Sequence, residues 1–153
     1  MTEKAVRLDD QLCFAIYRAQ KQYNKYYAYA LAPFHLTYPQ FIVMLTLWEH
    51  QTLTVNDLGH YLFLDSGTLT PLLKRLEKDG WVTRQRDKVD ERLVLVSLTP
   101  KANEQRDAVY KRVNGCVSHL DFTPERYDTL RSEMLEVTDH LTKFTQEAKQ
   151  LDL

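Results

Sequence analysis

The chain has 153 residues, 44% of them apolar and 27% charged, with a formal net charge of −1. That supplies enough apolar side chain for one core and too mixed a charge for a disordered tail. Four glycines and five prolines favour helices over a sheet sandwich, and no apolar run approaches the roughly 20 residues of a membrane span.

The segment 1–10 is polar and carries acids, so it reads as neither signal nor transit peptide, and a cytoplasmic protein is expected. A first helix is predicted from about Asp9 to Leu31. Leu8, Leu12, Ile16, Ala19, Tyr23, Tyr26 and Ala30 recur at three- and four-residue steps along it. Asp9 and Asp10 suit its first turn, where negative charge meets the positive end of the dipole. Thr37-Tyr38-Pro39-Gln40 reads as a capping box, with Leu36 and Phe41 at the staple positions of a largely apolar second helix. A short third helix starts at Thr54, with Asp57 three residues on, and ends near Tyr61. A fourth follows Leu64, capped by Asp65 or Ser66, with Leu69, Leu72, Leu73 and Leu76 inward, Pro71 near its first turn and Gly80 closing it.

After Gly80 the period changes to that of strands. Residues 81–86 and 93–98 form a β-hairpin around a charged tip, Asp87 to Arg92. Thr99-Pro100 and Thr123-Pro124 each pair a cap with proline at the first helical position, opening helices over about 100–118 and 124–149. Leu130, Met134, Val137, Leu141 and Phe144 give the last helix an apolar stripe. The fold class is mainly α with a small β-hairpin, a winged helix-turn-helix, in one domain over 1–153. Its winged lobe spans about 37–98, and helices at about 8–32 and 100–149 flank it.

Charge is polarised along this order. From Lys74 to Arg86 five bases face two acids, and from Pro124 onward seven acids face four bases. A helix fits the major groove and its first residues reach base edges. Ser66, Thr68 and Thr70 stand there on the fourth helix, with Lys74, Arg75 and Lys78 placed for phosphates. Arg84, Arg86 and Arg92 sit on the hairpin, facing an adjacent groove or backbone. Plainer readings stand beside these: Ser66 and Thr68 as caps, Lys74 and Lys78 as a solvated face, Arg92 paired with Asp90 and Glu91. The conjunction of helix, turn, helix and basic hairpin favours DNA.

Leu64 to Glu77, followed by Asp90-Glu91-Arg92 and Ser97-Leu98-Thr99, resembles the MarR family of transcriptional regulators. Gln11-Leu12-Cys13-Phe14 and Leu36 to Gln40 resemble its organic hydroperoxide-sensing branch, the OhrR type. The resemblance implies a homodimer held by its N- and C-terminal helices, bound to a pseudo-palindromic duplex operator. Each protomer offers one helix to the major groove and one wing to the minor groove. It implies repression of a hydroperoxide-detoxifying gene until a cysteine is oxidised, with Arg92 as the wing-tip residue and Asp90 and Glu91 holding the wing. No enzyme activity, cofactor or metal is expected.

Two cysteines do not make a disulfide scaffold. Cys13 falls in the first turns of the first helix, where the dipole favours the thiolate, the form that attacks peroxide. Tyr17 lies four residues on. Tyr27 and Tyr38 match positions where the family places hydroxyls against the sulfur, in part from the other subunit. Phe14, Ile16 and Phe41 suit an organic hydroperoxide. Oxidation gives a sulfenic acid first; Cys116 is the candidate resolving cysteine, and a mixed disulfide with a small thiol is the alternative. A buried, inert cysteine is the plainer reading. A regulator answering a small aromatic ligand and a thiol peroxidase are the competing functions.

Overall fold

A computed structural model describes residues 7–150, apart from the side chains of 116, 117 and 150. The chain divides into two compact units between Gly115 and Cys116. In the first unit the helices are α1 (Leu12–Leu31), α2 (Tyr38–His50), α3 (Val55–Leu62) and α4 (Ser66–Lys78), with α5 (Pro100–Val117) beginning there. Its strands are β1 (Thr52–Thr54), β2 (Val82–Arg86) and β3 (Val94–Leu98). The second unit holds the last residues of α5, a 3₁₀ turn at Ser118–Leu120, and α6 (Pro124–Gln150).

The local signals in the sequence set most of these boundaries. At Thr37, the backbone N–H and the hydroxyl both donate to Gln40 Oε1, at 2.9 and 3.1 Å. The Gln40 N–H donates back to Thr37 Oγ1, which completes the capping box. Both staple residues, Leu36 and Phe41, are buried. Thr54 caps α3 through the Asp57 N–H at 3.1 Å. Asp65, rather than Ser66, caps α4.

The end of α4 is a Schellman motif: the Trp81 N–H donates to Leu76 O and the Gly80 N–H to Glu77 O. Gly80 sits at φ 76, a left-handed conformation that favours glycine. Between α3 and α4 the chain turns back tightly, and a Cβ on Gly59 would stand 2.9 Å from the Leu64 carbonyl oxygen. Glycine is therefore needed for the helix-turn-helix to close.

Three features differ from the sequence reading. The hairpin is part of a three-stranded antiparallel sheet ordered β1-β3-β2, with Thr52 opposite Ser97 and Thr54 opposite Leu95. Asp9 and Asp10 do not lie in the first turn of α1. They belong to a separate 3₁₀ turn, Leu8–Asp10, and the first turn of α1 after its cap Gln11 holds no acid. The predicted inward face of α1 is buried only at its far end. Ala30 and Leu31 are buried and Ile16 and Tyr26 half-buried, whereas Leu12, Ala19 and Tyr23 are exposed. Twenty residues extend about 30 Å, beyond the reach of the elements that cover its last turns.

The core of the first unit gathers Met44, Leu47 and Trp48 of α2, Leu58 of α3, Leu69, Leu73 and Leu76 of α4, and Val82 and Val96 of the sheet. In the second unit Leu130 and Val137 are half-buried, while Met134, Leu141 and Phe144 of the predicted stripe are exposed.

Replacing Gly80 with alanine tests the α4 terminus. A Cβ there meets nothing closer than Lys101 Cδ at 3.8 Å, so the cost is that of the backbone conformation alone. Gly80→Ala is expected to lower stability by about 1–2 kcal/mol, read from the urea midpoint.

Candidate nucleic-acid interface and sensing cysteine

The outward side of α4 is polar. Residues four apart share a helix face, which puts Ser66, Thr70, Lys74 and Lys78 in one row. Ser66, Lys74, Arg75 and Lys78 are exposed and Thr70 is half-buried. Thr68 is committed to the cap: its N–H donates to Asp65 Oδ1 at 2.9 Å and its hydroxyl to Oδ2 at 3.0 Å. Those two bonds, the backbone one first, hold the Asp65 carboxyl below its ordinary value.

The hairpin is braced by its own polar groups. Asp87 Oδ1 accepts from the N–H groups of Val89 and Asp90, at 2.7 and 2.9 Å. Asp90 accepts from Arg92 three times: Oδ1 from the backbone N–H and Nε, and Oδ2 from Nη2. The fork keeps the Asp90 carboxyl below its usual range and raises Arg92. The Arg92 side chain is still 90% exposed, and its remaining N–H groups are available to an outside acceptor. Arg86 Nη1 donates to the Glu91 carbonyl at 3.1 Å, so Glu91 enters the brace through its backbone.

Arg84, read from sequence as able to reach an adjacent groove or backbone, has a protein partner on α4. Its backbone N–H and its Nε and Nη2 all reach the Glu77 carboxylate, the last at 2.7 Å. Glu77 is on the last turn of α4 and Arg84 on β2. The pair therefore ties helix to wing and leaves the Arg84 side chain 23% exposed. Val89, at the wing tip and 97% exposed, was not singled out from sequence; its one signal is an apolar residue inside a charged loop.

Cys13 is the second residue of α1 and is exposed. Tyr17, one turn on, stacks against Phe14 with ring centroids 6.2 Å apart. Tyr27 and Tyr38 are brought together, their centroids 4.4 Å apart, in a cluster with Tyr23, Tyr26 and Phe41. Fourteen residues of helix separate Cys13 from Tyr27, about 21 Å along the axis. One protomer thus carries the sulfur and the Tyr27–Tyr38 pair at opposite ends of α1, with only Tyr17 of the three tyrosines near the sulfur. The side chain of Cys116 lies outside the described residues. Among the described residues no three His, Cys, Asp or Glu side chains gather as a metal site requires, and no single helix is long and apolar enough to cross a membrane.

Two short helices joined by a tight turn, the second polar outward and flanked by a braced basic hairpin, define a winged helix-turn-helix of the DNA-reading class. Residues 25–109 match the family described as transcriptional regulator SarA/Rot. The organic hydroperoxide resistance transcriptional regulator of Bacillus subtilis is 51% identical over 94 residues, covering 61% of this chain and 64% of that protein. The chain thus spans less than two thirds of that relative's own length. SarZ of Staphylococcus haemolyticus is 35% identical over 138 residues, 90% of this chain and 94% of that one. Among solved structures, reduced AbfR bound to DNA superimposes with a TM-score of 0.81 at 37% identity, covering 90% of this chain and 94% of that one. AbfR, from Staphylococcus epidermidis, has also been solved overoxidized on DNA and in a disulfide form, which match with TM-scores of 0.76 and 0.66. The chain belongs to the MarR/SarA type of DNA-binding transcriptional regulators. The family and these relatives are regulators rather than enzymes.

The Glu77–Arg84 tie yields a pH test. Arg84 holds the Glu77 carboxyl below its ordinary 4.5, so the tie stabilises the fold above that pH and is lost as pH falls through the lowered folded value. Glu77→Gln is expected to be less stable than wild type at pH 7, with the two urea midpoints converging as pH falls from the ordinary 4.5 through the lowered folded value. A constant gap across that range would deny the carboxylate its role.

Proposed function

We propose that the chain acts as a cytoplasmic homodimeric repressor that grips a pseudo-palindromic duplex and releases it when Cys13 is oxidised by an organic hydroperoxide. In this reading residues 1–153 work as one domain. Segments of about 8–32 and 100–149 pair the protomers, and about 37–98 reads DNA. Ser66 and Thr70 face base edges, Lys74, Arg75 and Lys78 meet phosphates, and Arg86, Asp90 and Arg92 carry the wing. The observation that carries the DNA reading is the side-by-side placement of the polar row of α4 and a wing whose Arg92 is held by Asp90 yet exposed. Pairing of protomers is supported by the exposed apolar residues of α1 and α6, Leu12, Tyr17, Met134, Leu141 and Phe144 among them.

The chemistry proposed for Cys13 is a two-electron oxidation. The thiolate sulfur attacks the outer peroxide oxygen, the O–O bond breaks, and the leaving alkoxide takes a proton to become the alcohol. The sulfenic acid then condenses with a second thiol, forming S–S and releasing water. Cys116 and a small-molecule thiol are the two candidates for that second thiol. Tyr27 and Tyr38, remote from their own Cys13, serve the sulfur of the other protomer. Tyr17 serves the sulfur of its own helix. The names of the relatives support this reading: a hydroperoxide resistance regulator, and a protein solved on DNA both reduced and overoxidized and separately as a disulfide. On that pattern a new bond to sulfur, more than added oxygen, drives release. To shift the dimer from mostly bound to mostly released, that bond must favour the released state by about 5.5 kcal/mol.

Two outcomes are expected. Cys13→Ser binds duplex as tightly as wild type in reducing buffer and ignores cumene hydroperoxide, in gel-shift titrations followed by intact mass with and without reductant. A serine variant that still lets go would place the sensor elsewhere. Arg92→Ala binds about tenfold more weakly, with the slope of log affinity against log salt reduced by about 1, while its oligomeric state and thiol oxidation stay as in wild type. Unchanged affinity and slope would remove the wing from the interface. Release of the Cys13→Ser variant by a phenolic compound would favour the aromatic-ligand reading, and peroxide loss in excess of protein thiol a thiol peroxidase.

A further inference from the structure

Tyr26 and Tyr27 are successive residues on one turn of α1, and they grip different elements. Tyr27 packs on Tyr38 and Phe41 of the α2 segment. Tyr26 donates its hydroxyl to the carbonyl of Val113 on α5 at 2.8 Å, and its ring stands edge-on to Tyr27 at 4.9 Å. Val113 is buried. One turn further on, Arg112 of α5 lies over the ring of Tyr29 at 5.1 Å. The same stretch of α1 that carries a candidate sulfur partner is thus pinned to α5.

The other end of α5 is pinned to the reading helix. Thr99 Oγ1 donates to the Gly80 carbonyl at 2.7 Å and accepts from the Ala102 N–H. Lys101 Nζ donates to the Asp79 carbonyl at 2.6 Å and lies over Trp81. Trp48 Nε1 donates to the Ala102 carbonyl at 3.1 Å, inside the core. The first turn of α5 therefore holds all three residues that cap α4: Asp79, Gly80 and Trp81. About 20 Å of continuous helix separates that turn from Val113.

We propose that the Tyr26–Val113 hydrogen bond is a latch of the DNA-gripping conformation, which passes the state of the sensing sulfur through α5 to the cap of α4. This rests on the function proposed above, and Tyr26 acts as a positioning residue that touches neither sulfur nor DNA. Reduced AbfR on DNA matches this chain with a TM-score of 0.81 and its disulfide form with one of 0.66. A bond present in the gripping conformation biases the equilibrium toward it. When Tyr27 is displaced by a change at the sulfur, the edge-on contact moves Tyr26. The latch then opens, and α5 no longer holds the α4 cap in its gripping position.

The test uses full-length protein and a duplex selected from a random-sequence pool by reduced wild type. Tyr26→Phe keeps the ring and removes the hydroxyl. After cumene hydroperoxide treatment, the variant is expected to bind that duplex about 3- to 10-fold more weakly than oxidised wild type, the scale of one net hydrogen bond. Reduced variant and reduced wild type differ by less, because there the gripping state already dominates. The rate of Cys13 oxidation, followed by intact mass, stays unchanged. Equal affinities in both redox states overturn the latch, and so does an equal loss in both, the mark of a merely structural residue. A second measurement needs no variant. Hydrogen exchange in wild type is expected to rise along α5 on oxidation, and unchanged protection there overturns the proposal. Wild type that keeps its grip after oxidation defeats the parent function, while the α5 exchange still judges the latch separately.

Discussion

A helix proposed to read base edges must show a hydrophilic face to solvent while its axis stays fixed, and the bonds at both ends of α4 meet that demand. Its packed side is narrow: Leu69, Leu73 and Leu76 are fully buried. Apolar contact resists sliding poorly, because it has no direction. Directional bonds at the two ends supply what the leucines lack. Asp65 fastens the first turn through Thr68. The Schellman turn, with Thr99 and Lys101 bound to its carbonyls, fastens the last. Glu77 then binds β2 through Arg84, so that helix and wing keep one mutual angle.

That arrangement separates two jobs for basic residues that look alike in sequence. Arg84 and Arg92 are both hairpin arginines with an acidic partner. The Arg84 side chain is 23% exposed and donates through Nε and Nη2 to Glu77 Oε2 while its backbone N–H donates to Oε1, whereas Arg92 uses the same two side-chain donors on Asp90 and stays 90% exposed. The first is a structural tie and the second a group displayed on a rigid base. Surface ion pairs are typically worth little in stability. The value of the Asp90–Arg92 pair is that it aims a cation without covering it.

Caps and turns were the legible part of the sequence, because their chemistry is local. Thr37 with Gln40, Thr54 with Asp57, and Gly80 each act within four residues, and each stands where the pattern put it. The misses have longer-range causes. Strand β1 is three residues long, too short to show alternation, and exists because β3 offers it an edge. The acids at 9 and 10 look like a helix start, but the chain makes a 3₁₀ turn first and Gln11 begins α1. Phe63 ends α3 in a left-handed conformation at φ 53 with none of the glycine or asparagine that would announce it. For the site, sequence pattern placed the polar row of α4 and the wing. The Glu77–Arg84 tie and the Tyr26–Val113 bond join residues that only the fold brings together. The periodicity of α1 marked an apolar face but carried no information about what covers it.

The geometry of α1 links sensing to assembly. Cys13 is at one end of the helix, Tyr27 is about 21 Å away along its axis, and Tyr38 is stacked on Tyr27. A stiff rod keeps its two ends apart, so the phenols of Tyr27 and Tyr38 would meet a sulfur only where two such rods run side by side in opposite directions. The same exposed residues that invite pairing, Leu12 and Tyr17 near the sulfur and Tyr23 near the aromatic cluster, lie along that rod. In the proposed dimer, each sulfur would thus be read by phenols of the other chain, and each α5 would carry the result to the cap of its own α4. In that proposed dimer a change at one sulfur would alter the reading head of the opposite protomer, and loss of one head would suffice for release, because binding both half-sites at once is what makes a bivalent grip tight.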